Sequence, residues 1–128
     1  MKRLYAGALL VCLLPLPAYP QSIDRPSWSA ADAALAGAFL TGLWLDARQT
    51  RRLANGGWRD YRETNPVLGP RPSVGQIDTY TALAAVTTLG IASVLPPKTR
   101  RWFLAAANAV EVYALAGMAH AGVSIRVF

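Results

Sequence analysis

The sequence predicts an all-α fold: a small helical membrane bundle with three transmembrane helices after an N-terminal signal-like segment. Three observations predict it. Apolar residues make up 53% of the 128-residue chain against 16% charged. Ala and Leu recur in stretches of roughly 20 residues, the length a helix needs to cross a bilayer. The basic residues fall in loops between those stretches, as they do in membrane proteins. A chain of this length without an internal repeat has room for one domain.

Residues 1–20 read as a secretory signal. Lys2 and Arg3 form the basic start, residues 4–14 the apolar centre, and Pro15, Pro17 and Pro20 interrupt the end. Ala18 is a small residue suited to cleavage, and retention as an N-terminal anchor is the alternative. The single Cys12 lies inside the apolar centre, so no internal disulfide is expected. With Val11 rather than a small residue before it, Cys12 does not read as a lipidation site. The remaining residues, 21–128, form a single membrane domain.

Residues 21–26 are polar and extended, and Ser27, Ser29 or Asp32 can cap a helix over about 29–52 whose apolar part ends at Leu45. Ala33, Gly37 and Thr41, and beside them Ala34, Ala38 and Gly42, make two stripes of small residues that allow another backbone close. Residues 53–72 are the polar loop, broken up by Asn55-Gly56-Gly57, Pro66, Gly69, Pro70 and Pro72. Trp58 and Tyr61 are expected at the membrane interface. Ser73-Val74-Gly75-Gln76 fits a capping box that opens a second helix over 73–95. That helix stops at Pro96-Pro97 and carries its own small stripe, Ala84, Thr88 and Ala92. A third helix is expected over 98–122, followed by a short extended tail. A soluble all-helical bundle is the alternative, because none of the three stretches is free of polar groups.

The net charge of +6 resides largely in Arg48, Arg51, Arg52, Arg59, Arg62 and Arg71, with Lys98, Arg100 and Arg101 in a second group. Neither recognition helix, RNA-binding aromatic pattern nor zinc spacing accompanies it, so nucleic acid is not an expected partner. The expected partners are the lipid bilayer and a second copy of the chain or another envelope protein. The larger arginine cluster orients the bundle with residues 46–75 and the C-terminus in the cytoplasm, which leaves the smaller cluster outside.

The chemistry concentrates between Asp46 and Gly69. Asp46, Gln49 and Thr50 are spaced i, i+3 and i+4, so they share one helix face. Glu63-Thr64-Asn65-Pro66 places a carboxylate and an amide before a proline that keeps the preceding residue extended. On the pattern Asp46-Ala47-Arg48-Gln49-Thr50, Glu63-Thr64-Asn65-Pro66-Val67-Leu68-Gly69, Pro72-Ser73, Tyr80, Leu95-Pro96, Arg100 or Arg101, and Glu111, the chain resembles a family of small proteobacterial and prophage membrane proteins. The resemblance covers about residues 44–115. It implies an integral membrane protein in which these polar residues form one unit, and it implies no reaction.

Glu111 lies near the centre of the third apolar stretch, where an ionised carboxylate is costly unless paired or facing a cavity. Asn108 is one turn away. Together they are expected to meet Asp46, Gln49 or Glu63 in a polar clasp, either structural or an ion- or proton-linked site. The only histidine, His120, reads as a helix-end residue. Hydrolase, phosphate-loop and zinc motifs are all missing, so the sequence nominates no catalytic residue, metal site or cofactor. The leading functional expectation is a non-enzymatic, multi-pass inner-membrane protein acting by helix association. The alternatives are a membrane-embedded enzyme or ion or lipid carrier using Asp46, Glu63 and Glu111, and a phage-derived envelope modifier.

Overall fold

The computed structural model describes the backbone of residues 2–3 and then residues 27–123. Apart from Lys2 and Arg3, the expected signal segment lies outside the described residues, as do Cys12 and the end of the C-terminal tail. Three helices dominate: α1 (Ala30–Asn55), α2 (Val74–Val94) and α3 (Pro97–His120). A two-residue strand, β1 (Lys2–Arg3), pairs in parallel with β2 (Tyr61–Arg62) in the loop after α1. α1 and α3 run the same way and α2 runs back alongside α1, so one end of the bundle holds the α2–α3 turn and the other holds the arginine-rich loop.

Local chemistry sets each boundary. Ser29 caps α1 by accepting from the Asp32 N–H, while the Asp32 carboxylate accepts from the Ser29 N–H. Ser73 and Gln76 make the same reciprocal cap on α2, satisfying donors that a helix start leaves free. Pro97 occupies the first turn of α3, where a missing N–H costs nothing. The two prolines therefore end one helix and begin the next almost without a loop.

α1 packs more extensively on α3 than on α2, and α2 and α3 touch each other least. Three apolar layers fill the bundle. Ala36, Ala92 and Leu104 lie toward the α2–α3 turn. Phe39, Leu43, Ala84 and Ala107 lie in the middle. Ala47, Trp58, Ile77 and Met118 lie under the arginine-rich loop. The α2 stripe Ala84, Thr88 and Ala92 is buried between the helices, whereas Ala33, Gly37 and Thr41 on α1 face outward.

Two sequence expectations are corrected here. Among the described residues two helices, α2 and α3, are long and apolar enough to cross a membrane, not three. α1 is not among them: Asp32 and Asp46 lower the mean hydropathy of its apolar part, and the helix then runs into Arg48, Arg51 and Arg52. Trp58, expected at the interface, is 4% exposed and donates its indole N–H to the Pro72 carbonyl at 3.1 Å. With that partner the ring needs no water, and it plugs the end of the core.

Candidate functional site: a buried carboxylate cluster

The bundle holds two buried polar corners, and they are built in opposite ways. At the α2–α3 turn, Arg100 is fully buried. Its Nε donates to the Ala92 carbonyl at 2.8 Å, Nη2 to the Leu95 carbonyl at 3.0 Å, and Nη1 to the Ser27 carbonyl at 3.2 Å and to Asp32 Oδ2 at 3.3 Å. The Trp28 ring lies over the guanidinium, its centroid 5.0 Å away. The other Asp32 oxygen, buried and without a hydrogen-bond partner, faces Arg101 Nε at 3.5 Å. This corner ties the start of α1 to the α2–α3 turn by charge-assisted bonds.

The other corner lies at the arginine-rich end and gathers the residues singled out by sequence. Asp46, Gln49 and Thr50 come from the last turns of α1, Glu111 from α3 and Glu63 from the loop. Gly42 brings the helices together here, since a Cβ on it would stand 2.9 Å from Glu111 Cβ. Asp46, one turn further along α1, lies within electrostatic reach of both Glu111 and Glu63.

Glu63 is positioned by its own loop. Its Oε1 accepts from the N–H groups of Thr64 and Asn65, both at 2.8 Å, and Asn65 Oδ1 accepts from the Val67 N–H at 3.0 Å. Backbone bonds from Glu63 N–H to the Pro70 carbonyl and from Gly69 N–H to the Asn65 carbonyl close the loop. Gly69, at φ 75°, adopts a left-handed conformation suited to glycine. Pro66 stays on the outer side, exposed. The carboxylate is thereby turned inward and is 3% exposed. Burial pushes its pKa above the usual carboxyl range, and the two N–H bonds pull it the other way.

The inner atoms of this corner are not matched. Asp46 Oδ1, Gln49 Nε2 and Oε1, Thr50 Oγ1, Glu63 Oε2 and Glu111 Oε2 are six buried atoms without a hydrogen-bond partner among the described residues. Gln49 and Thr50 are each only 2% exposed. Among the described residues, no three His, Cys, Asp or Glu side chains are grouped closely enough to hold a metal ion.

Asn108 is engaged elsewhere. Its amide nitrogen donates to the Leu35 carbonyl of α1 at 2.9 Å and to the Leu104 carbonyl at 2.8 Å, one turn toward the α2–α3 end. It stitches α3 to α1 there. His120 is exposed in the last turn of α3.

Sequence reasoning treated Asp32 as a cap and Arg100 as loop charge, and so missed their pairing. The available signal was an isolated acid opening one apolar helix and a base opening another that runs parallel to it. The chain matches no described protein family, no curated protein and no solved structure.

Proposed function

We propose that the protein is a small multi-pass protein of the bacterial inner membrane whose buried carboxylate cluster takes up a small cation, in the simplest case a proton. α2 and α3 cross the bilayer, and α1 lies along them with Asp32 kept from lipid by Arg100 and Asp46 turned into the cluster. The outer faces of α2 and α3 support the membrane reading. Leu83, Val86, Val94, Trp102, Val112 and Tyr113 are all at least 60% exposed. Only 22% and 28% of the most apolar parts of these two helices is buried within the bundle. A core helix of a soluble protein would be mostly covered.

The observation that carries the cation reading is the set of six unmatched atoms. Each buried polar atom without a partner costs about 1–3 kcal/mol. A purely structural clasp has no reason to retain six of them, and Arg100 illustrates how this chain builds a clasp when donors are placed to meet acceptors. Carboxylates left unpaired in an apolar interior mark proton and ion sites in membrane proteins.

A hydrophobic carbodiimide tests the reading, because it modifies protonated carboxyls in apolar surroundings. Peptide mass spectrometry of the labelled protein in detergent should find the adduct at Glu111 or Asp46, falling several-fold as pH is raised, with exposed Asp60 unmodified. A yield that is zero or independent of pH would sink the proposal. In Glu111→Gln, a proton site loses this pH response with helicity intact, whereas a structural clasp loses thermal stability.

A second reading, helix-mediated association, is favoured by one observation. The stripe Ala33, Gly37 and Thr41 faces outward, and a Cβ on Gly37 would meet nothing within 4 Å. Cysteines at Ala34 and Ala38, in a Cys12→Ser background, should crosslink two copies in native membranes. A monomer throughout argues against self-association.

A further inference from the structure

We infer that the carboxylate cluster exchanges its cation with one side of the membrane only, the side bearing the arginine-rich loop. This rests on the proposed cation site and adds its sidedness.

The two ends of the bundle differ in what separates Glu111 from water. Toward the arginine-rich end the layer of Ala47, Trp58, Ile77 and Met118 covers part of the core, and with it stands Glu63, whose closed loop frames an open surface pocket of about 430 Å³ lined by Arg62, Thr64, Asn65 and Gly69 among others. Glu63 itself lines that pocket, yet it is 3% exposed and keeps Oε2 buried and unpartnered. It is thus the wall shared by the pocket and the cluster. One oxygen is held by two backbone N–H groups, so the carboxylate cannot swing freely. The other oxygen is the first unmatched acceptor met from outside.

Toward the α2–α3 end the bundle is sealed. The first barrier is the layer of Phe39, Leu43, Ala84 and Ala107, and the second is Ala36, Ala92 and Leu104. Phe39, Ala92 and Leu104 have no exposed surface. Beyond them the Arg100–Asp32 pair closes the end, both side chains fully buried. Among the described residues Asn108 and Thr88 place polar groups within the seal, and Tyr80 packs on its first layer. Asn108 has its amide nitrogen committed to backbone carbonyls, and Thr88 Oγ1 is a single unpartnered hydroxyl. One hydroxyl does not make a hydrogen-bonded chain across two apolar layers. A larger groove of about 570 Å³ at this end, lined by Leu35, Arg101, Trp102 and Ala105 among others, includes no residue of the cluster.

The titratable and charged groups near Glu111 are consistent with this polarity. α1 contributes Asp46 and the loop contributes Glu63. α2 contributes Tyr80, packed on the Phe39–Leu43 layer, and further toward the loop Asp78, paired with Arg51. On α3 itself the neighbouring titratable groups, Tyr113 and His120, are exposed on the outside. Beyond the seal, the next charges are Asp32, Arg100 and Arg101, already joined to one another. A site opening on one side suits sensing or buffering of that compartment; transport would need a second opening.

The test uses the intact protein in sealed vesicles with different pH inside and outside. A brief, quenched pulse of membrane-permeant carbodiimide reports protonation of Glu111 and Asp46 in the intact chain. External trypsin added afterwards cuts at exposed Arg52 or Arg59 only in molecules whose loop faces outward, which marks orientation molecule by molecule. In loop-outward molecules the adduct should change several-fold with external pH and stay constant with internal pH, and the reverse should hold in uncut molecules. Labelling that follows the opposite face, or both faces equally, overturns the sidedness while leaving the cation site standing. Labelling indifferent to both overturns the cation site itself.

Discussion

Arg100→Ala should destabilise the bundle markedly, because it leaves Asp32 without its closest counter-charge. The same change strips a donor from the carbonyls of Ser27, Ala92 and Leu95. Lysine should not rescue it. An ammonium is a compact point charge, whereas the guanidinium reaches acceptors in three directions at once. Equilibrium unfolding in mild detergent checks the size of the loss. Asp32→Asn in the Arg100→Ala background should recover part of it, since it removes the stranded charge. A single-mutant loss below about 1 kcal/mol would mean that Arg101, 56% exposed beside Asp32, takes over the pairing at little cost, as exposed pairs are weak.

Trp58→Ala should cost about 3–5 kcal/mol, the range for deleting a large buried aromatic. The ring is packed with Ala47, Ile77 and Met118, and its N–H holds Pro72, just ahead of α2. Trp58→Phe separates the two contributions. It keeps most of the packing and loses the hydrogen bond, a net difference of about 1 kcal/mol. The alanine variant should also loosen the Glu63 loop, seen as faster amide exchange at Thr64 and Asn65, whose N–H groups bond Glu63. Unchanged exchange there would show that the loop is held by its own closing bonds alone.

What could be read from the sequence was whatever depends on neighbours along the chain. The Ser73–Gln76 cap, the Pro96-Pro97 break and the shared face of Asp46, Gln49 and Thr50 all follow from spacing alone. The inward turn of Glu63 was half legible: Pro66 and Gly69 announced a constrained loop, but nothing local said which way its carboxylate points. The role of Gly42 was not legible. Its place in a small-residue stripe said only that another backbone could come close, and what comes close is the stem of Glu111, 69 residues on. The Asp32–Arg100 bond was hidden for the same reason, because it forms only once α1 and α3 lie parallel. Trp58 misled because aromatic residues in loops between apolar stretches usually sit at an interface, and here a backbone carbonyl satisfies the indole inside the core.

The separation of Asp32 from Arg100 along the chain bears on how the protein is made. Synthesis runs from the N-terminus, so α1 emerges with a carboxylate whose counter-charge is 68 residues away. The Ala92 and Leu95 carbonyls that receive Arg100 are only eight and five residues from it. The α2–α3 hairpin can therefore complete its half of the socket on its own. α1 is the early arrival, and the counter-charge of its Asp32 is made only when Arg100 follows.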